Sequence, residues 1–468
     1  MNNKTQTCIY LTADFMAAHL AWFVFNVLRY FLVAYKQFDT YHGFVWYSNV
    51  VQGQLIIPLG WLVLHYYSGY YNSPLVKSHL SVAFRTFMTC IIGSLSIFFI
   101  VLLNNLPESI NIYYEQITYL FLFSFGFTYL FRLIITNRAT KKIRSREWTT
   151  PVLILGTGDN ARQVSKMLER SVNTKAYTIQ GYIETDTDKQ ISTKLNTIGH
   201  IRDLADIIRQ FKTRELIVAT ESNGDELLTL LYALYQYKLP IKLPLNRFQL
   251  LIGHIKVHTI KGAPLIDITE SNYPEGEKNI KMTLDKIISA LAMLLLSPVY
   301  AYLAFRVYRD SKGPIIIRQE RIGYMGKPFN ILKFRTMYEN AESDGPLLSS
   351  EKDERITPVG HFMRKYRLDE LPQFWNVLCG DMSIVGPRPE RRHYIKQIVE
   401  KAPYYYLLHN VYPGITSLGM VKFGYARNIE EMIERLQYDI LYYENMSLLM
   451  DIKILIYSIQ IICTGKGI

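Results

Sequence analysis

Four apolar segments crowd the first third of the chain, at about 8–35, 44–70, 81–104 and 114–136. Each approaches or exceeds the ~20 residues an α-helix needs to cross a bilayer. Residues 1–148 therefore read as a four-helix transmembrane bundle, although Gln52, Gln54 and Pro58 interrupt the second segment. The 71–86 connection carries Lys77 and Arg85, and Arg138, Lys141, Lys142, Arg144 and Arg146 follow the fourth segment. The 105–113 loop has neither Lys nor Arg. The positive-inside rule then puts both ends of the unit in the cytoplasm. These segments hold almost no charge of the kind that marks an ion or substrate path, so the expectation is an anchor and scaffold rather than a transporter. The first apolar run is too long for a cleavable signal peptide and lacks a small-residue cleavage site.

Hydrophobic residues make up 49% of the chain while mean hydropathy is near zero, an average of a membrane half and a soluble half. The formal net charge of +12 suits anionic lipid head groups and phosphorylated substrates. Its basic residues sit beside apolar segments rather than in a polar domain, which argues against nucleic acid. Cys8, Cys90, Cys379 and Cys463 are scattered without metal-ligand spacing.

After the basic run, Pro151–Leu155 leads into Gly156-Thr157-Gly158-Asp159-Asn160-Ala161 and an amphipathic helix. A buried strand running into G-x-G-x-x-A is the Rossmann fingerprint, in which small residues let a phosphate approach the helix N-terminus. Residues 149–260 read as a Rossmann-like α/β domain. Gly156 and Gly158 form a candidate nucleotide loop, with Glu184 or Asp186 as ribose contacts further along than usual. The competing expectation, and the favoured one, is a degenerate domain kept for packing or regulation. A linker at 261–280 follows.

Ile287–Phe305 is apolar, with Ser297-Pro298 at its centre. Lys278, Lys281 and Lys286 precede it, and Arg306, Arg309, Lys312, Arg318 and Arg321 follow. Basic flanks on both sides argue that both ends stay cytoplasmic. A mid-helix Pro bends a helix, and Ser297 is placed to satisfy a freed carbonyl. The expectation is a re-entrant helix over about 283–306 that dips into one leaflet and returns.

Leu368-Asp369-Glu370-Leu371-Pro372-Gln373 opens what reads as a helix, Pro372 suiting a first turn. A helix start favours phosphate oxygens, and Arg388 within Gly386-Pro387-Arg388-Pro389 adds a rigidly presented guanidinium. Phe329–Phe334 reads as a strand on which Lys333 and Arg335 share one face, both candidates for phosphate contact. Residues 338–358 read as a polar loop.

These motifs, with Lys333-Phe334-Arg335-Thr336-Met337 upstream and Pro413-Gly414-Ile415-Thr416 downstream, resemble the bacterial sugar transferases: the polyprenyl-phosphate glycosyl-1-phosphate transferases, or monotopic phosphoglycosyl transferases. The likeness runs from about Lys281 to the C-terminus and marks 281–468 as an α/β catalytic domain. It implies transfer of a hexose-1-phosphate from a UDP-sugar to undecaprenyl phosphate at the cytoplasmic face of the bacterial inner membrane. This would be the first membrane step of exopolysaccharide, capsule or O-antigen synthesis. It further implies that Asp369 attacks phosphorus to give an aspartyl phosphosugar, that Glu370 holds Mg²⁺ with Asp369 or orients the acceptor, and that Arg388 binds phosphate. Arg364 is implied near the substrate, and Asp451 in preference to Asp439 as a functional aspartate. Ser417, Leu418 and Met420 depart from the common Gly, Trp and Gln of that segment, and Lys422 or Arg427 stands for an arginine that follows it. A homodimer among membrane lipids is the expected setting. Two other classes compete. A membrane-bound sugar-nucleotide dehydratase or epimerase needs Tyr-x-x-x-Lys, which Tyr232, Tyr235 and Tyr237 do not supply; a non-catalytic scaffold does not account for an intact Asp369-Glu370 with Arg388.

Overall fold

The structure is a computed structural model that describes residues 3–36, 38–72, 79–102, 110–170, 176–186, 195–222, 224–244, 265–269, 273–339, 341 and 353–464. Lys77, most of the 105–113 loop, residues 245–260 of the middle domain and 342–352 of the polar loop lie outside them.

The N-terminal unit comprises α1 (Asn3–Leu32), the short α2 (Tyr41–Val45), α3 (Ser48–Tyr67), α4 (His79–Ile97) and α5 (Ile110–Arg144). A π-helical turn, Phe98–Leu102, continues α4. Helix α1 packs on α3 and α5, and α4 packs on α5. Among the described residues three helices are long and apolar enough to cross a membrane: Lys4–Leu32, His79–Val101 and Ile110–Arg144. The second apolar segment forms α3 but is not among them, because Gln52, Gln54 and His65 dilute it; Gln54 donates to the His19 carbonyl at 2.8 Å.

The expectation of almost uncharged helices needs correction. Asp14 on α1 and Arg132 on α5 are both fully buried and paired. Arg132 Nε meets Asp14 Oδ1 at 2.8 Å, and a second nitrogen meets Oδ2 at 2.6 Å. The Tyr71 hydroxyl donates to Asp14 Oδ2 at 2.7 Å, Arg132 donates to Thr86 Oγ1 at 2.8 Å, and the guanidinium lies 3.5 Å over the Tyr70 ring. A buried charge persists only when paired and hydrogen-bonded, and here every partner comes from another helix or turn.

The middle domain is a six-stranded sheet in the order β3-β2-β1-β4-β5-β6. Its strands are β1 (Thr150–Leu155), β2 (Tyr177–Glu184), β3 (Thr197–His200), β4 (Glu215–Val218), β5 (Ile241–Pro244) and β6 (Leu265–Asp267). All neighbours are parallel except β5 and β6. Period-2 alternation sends Leu153, Leu155, Leu216 and Val218 into one core and Val152, Ile154, Ile217 and Ala219 into another, so both faces are covered. Helices α6 (Asp159–Arg170), α7 (Leu204–Phe211) and α8 (Asp225–Tyr235) complete it. The stretch read as a linker, 261–280, instead supplies β6 and the first turns of the next helix; three residues are too few to show a period in sequence.

In the C-terminal region α9 (Glu275–Leu295) and α10 (Ser297–Asp310) meet at a 63° bend. Pro298 lies in the first turn of α10, where its missing N–H costs nothing. Ser297 makes no side-chain hydrogen bond among the described residues, so the carbonyl contact expected of it is not made there. The hairpin β7 (Ile316–Ile322) and β8 (Pro328–Phe334) follows, then α11 (Pro358–Lys365), α12 (Gln373–Cys379), β9 (Ser383–Val385), α13 (Arg392–Lys401), β10 (Gly414–Thr416), α14 (Leu418–Lys422), α15 (Ile429–Glu444) and α16 (Leu448–Cys463). Leu303 and Val307 of α10 share a core with Phe334, Val359 and Met363, against which Leu368 and Leu371 pack. Tyr235 of α8 packs against the middle-domain core and the main C-terminal core alike, and the Tyr232 and Tyr404 rings lie 5.5 Å apart, tilted by 55°.

Candidate active site

Asp369 and Glu370 sit on a single 3₁₀ turn, Leu368–Glu370, between α11 and α12, rather than in α12 itself. Arg367 opens this turn with φ 53°, the left-handed region that L-residues rarely adopt. Such a residue beside a buried carboxylate pair marks a turn whose geometry is imposed by its surroundings. The surroundings are cationic. Glu370 Oε1 accepts from Lys333 at 3.0 Å and from Arg388 at 3.2 Å, and Oε2 accepts from Arg367 at 3.4 Å. Asp369, 7% exposed, has no hydrogen-bond partner among the described residues.

This asymmetry splits two adjacent carboxylates. Burial would raise Glu370, but Lys333, Arg388 and Arg367 outweigh it and hold the group well below the usual carboxylate range. Burial, then the neighbouring Glu370, push Asp369 up to about 6, against the pull of Lys333, Arg364 and Arg367. Glu370 is thus held as an anion, while Asp369 is a carboxylate without hydrogen bonds among the described residues whose proton burial and the neighbouring Glu370 hold more tightly than usual.

Arg388 is presented by a loop that leaves no room for side chains. Ser383 and Val385 of β9 pair with Gly414 and Thr416 of β10. Gly386 donates to the Thr416 carbonyl at 3.0 Å, and Gly414 donates to the Pro387 carbonyl at 2.9 Å. A Cβ on Gly414 would lie 2.1 Å from the Gly386 nitrogen, so the two backbones meet only because both residues are glycine. Pro387 and Pro389 fix φ on either side of Arg388. Glu390 anchors the loop behind them, accepting from Arg435 at 2.5 Å and from Arg321 at 3.4 Å.

Of the residues singled out from sequence, Lys333, Asp369, Glu370 and Arg388 come together, and Arg364 acts on Asp369 by charge while bonding Thr336 Oγ1 at 2.9 Å. Arg335 does not join them. Strand β8 ends at Phe334, and the Arg335 guanidinium turns back to the carbonyls of Lys312, Ser311 and Val307 at 2.8, 2.5 and 3.3 Å. It closes the C-terminus of α10, where a cation complements the orphan carbonyls. Asp451 also lies apart, accepting from Lys281 at 2.9 Å and Tyr442 at 2.7 Å. Lys281 in turn faces Asp285, which accepts from Ser383 Oγ at 2.6 Å, so this cluster braces β9 from α9, α15 and α16. Asp439 accepts from the Gly419 amide at 2.9 Å and holds α14.

Two residues of the site escaped the sequence reading. Arg367 stands two positions before Asp369 and was within reach of it. Tyr425 was not: its ring lies 4.9 Å from the Arg367 guanidinium and 5.4 Å from that of Arg388, reaching both from a distant part of the chain. Lys422 instead lies 5.9 Å over Tyr457. Ser417 caps α14 through the Met420 amide at 3.0 Å, and Leu418 and Met420 are buried, so the departing residues build this helix. A separate cavity of about 200 Å³, lined by Lys278, Lys281, Lys286, Tyr324 and Tyr412 among others, does not include Asp369.

This geometry coincides with clear likenesses. Residues 276–465 match the family described as bacterial sugar transferase, and 67–243 match a CoA-binding domain. An Aeromonas hydrophila protein named UDP-N-acetylgalactosamine-undecaprenyl-phosphate N-acetylgalactosaminephosphotransferase is 39% identical over 188 residues, 40% of this chain and 44% of that protein. A Klebsiella pneumoniae UDP-glucose:undecaprenyl-phosphate glucose-1-phosphate transferase is 38% identical over 206 residues, 44% of each chain. The chain spans less than half the length of these two relatives. An Erwinia amylovora UDP-galactose-lipid carrier transferase is 30% identical over 346 residues, 69% of this chain and 70% of that protein. The split carboxylate pair and the glycine-braced arginine fall inside the matched region, and the chain belongs to the bacterial sugar transferase family.

Proposed function

We propose that this chain transfers a sugar-1-phosphate from a UDP-sugar to undecaprenyl phosphate. The observation that carries the reading is the contrast within one turn: Glu370 clamped by Lys333, Arg367 and Arg388, and Asp369 free of hydrogen bonds among the described residues. Asp369 is the nucleophile. Its oxygen attacks the β-phosphorus, the bond to the bridging oxygen breaks, and UMP leaves with that oxygen. A phosphate oxygen of undecaprenyl phosphate then attacks the same phosphorus, forming the diphosphate and freeing Asp369. Arg388, Arg367 and Lys333 supply the positive charge that phosphoryl transfer requires.

Mg²⁺ accords with this donor set. A hard cation of this kind takes one or two carboxylates with phosphate oxygens of the substrate, and Asp369 has oxygens to offer, whereas Glu370 is already engaged by three side chains. When bound, the ion offsets the charge of the diphosphate. Among the described residues no group of three or more His, Cys, Asp or Glu is arranged to hold a metal without substrate.

The bend at Leu296, its basic flanks and the exposed Leu284, Ile287, Leu291, Leu294 and Leu295 support a re-entrant α9–α10 embedded in one leaflet. With α3 as a fourth span the N-terminal unit would keep both ends, and the catalytic region, on the cytoplasmic side of the inner membrane. Relatives with galactosyl, glucosyl and N-acetylgalactosaminyl names leave the donor to experiment. The test is UMP release by the purified chain from a panel of UDP-sugars with Mg²⁺ and undecaprenyl phosphate. Metal-dependent release from one donor is expected; no release from any donor sinks the reading.

A further inference from the structure

The match to a CoA-binding domain and the Gly156-x-Gly158 fingerprint both imply a phosphate-bearing ligand at the N-terminus of α6, and the residues present do not fit one. We propose that this glycine loop is closed by the chain's own carboxylate, Glu221, so that the folded middle domain takes neither coenzyme A nor a dinucleotide.

Strand order places β4 beside β1, so the loop after β4 crosses the end of the glycine loop. Glu221 stands on that loop. Its Oε1 accepts from the Asn160 backbone amide at 2.9 Å, and its Oε2 accepts from Asn160 Nδ2 at 3.1 Å. Asn160 Nδ2 also donates to the Thr220 carbonyl at 3.0 Å, fastening the two loops side to side. These are the donors and the positive dipole end that a ligand phosphate uses in this fold.

Space tells the same story independently. A Cβ on Gly158 would lie 2.7 Å from Glu221 Oε1. The gap left by the missing side chain, through which a pyrophosphate approaches, is therefore occupied by a carboxylate. Asp159, the first residue of α6, adds a second negative charge beside it. At the ribose end, Asp186 is already engaged by Arg202 at 3.1 Å and His200 at 3.3 Å. A phosphate ligand would have to displace one anion and sit against another.

The internal anion has a structural use. Glu221 ties down the loop from which α8 begins, and α8 carries Tyr232 and Tyr235 onto the catalytic region. The fingerprint here orients a docking helix in place of a cofactor.

Hydrogen–deuterium exchange on the full-length protein in lipid nanodiscs tests this, read on peptides covering 156–170 and 216–235. Millimolar coenzyme A, NAD⁺ or ATP should leave exchange in the wild type unchanged. Glu221→Ala should raise exchange at the start of α6 by about tenfold, the effect of losing an N-terminal capping partner. Millimolar inorganic phosphate should slow it again in that variant alone. Glu221→Gln, which keeps the acceptor and loses the charge, should fall between, and it carries the test if the alanine variant does not fold. Protection of the wild-type loop by coenzyme A or either nucleotide overturns the proposal. So does unaltered exchange in both Glu221 variants, or failure of phosphate to restore protection in Glu221→Ala.

Discussion

Two of the chain's buried clusters of paired charge, one in the apolar helices and one at Asp369-Glu370, are built on opposite principles. In the membrane helices one carboxylate meets one guanidinium: Asp14 receives two nitrogens of Arg132 and the Tyr71 hydroxyl, and the third nitrogen of Arg132 goes to Thr86. That cluster is neutral and saturated. In the catalytic turn two carboxylates face Lys333, Arg364, Arg367 and Arg388, and the bonds fall almost entirely on Glu370. That cluster keeps an excess of positive charge and one idle carboxylate. Saturation makes a clamp; imbalance makes a site. Burial alone does not distinguish them, because both Asp14 and Asp369 are buried.

The sharpest way to break the comparison is Asp369→Asn. It should lower UMP release by at least about 10³-fold, since in the proposed mechanism the Asp369 oxygen forms the covalent bond, while thermal stability holds because a costly buried charge is removed. Next is Asp14→Asn, which leaves Arg132 buried without its counterion and should cost about 3–5 kcal/mol in denaturation of the membrane unit. The double change Asp14→Leu with Arg132→Met should recover most of that loss, and equal loss in single and double variants would deny that the cluster is a clamp. Glu370→Gln frees three cations at once and should lower both turnover, by about 10²-fold, and melting temperature.

A pH titration reads the idle carboxylate directly. Turnover should rise about tenfold per unit up to about pH 6 and then level, as Asp369 loses its proton. Stability has the reverse sign. Because the folded group binds its proton more tightly than a free aspartate, its contribution is full below about pH 4 and is lost as pH rises through about 6. Asp369→Asn should erase that slope, whereas Asp14→Asn should not. The smallest effect is expected from Tyr425→Leu, which removes two cation–π contacts and should weaken donor binding about fivefold, measured as KM.

The local half of this site was legible in sequence because its chemistry is contiguous: Asp369 and Glu370 are neighbours, and Arg388 is framed by prolines and a glycine. The other half depends on which elements touch. Alternation along β8 put Lys333 and Arg335 on one face, but the strand stops at Phe334 and Arg335 turns away to α10. Tyr425, the Asp14–Arg132 pair and Glu221 over Gly158 each join positions far apart, and no periodicity announces such pairs. The Rossmann-like sheet was readable from its buried runs, while β6 was too short and too isolated to be seen.

Tyr300 of α10 donates to the Leu371 carbonyl at 2.7 Å, immediately after the catalytic pair, and Arg335 grips the far end of the same helix. The apolar helix and the reactive turn are therefore one rigid part, fastened at both ends. Wherever α10 comes to rest, Asp369 stands at a fixed height above it, as a float fixes the height of its mast. In the re-entrant arrangement proposed above, the bilayer then serves as a gauge of reach, since the anionic head of the proposed lipid-borne acceptor rides at a depth set by the same waterline.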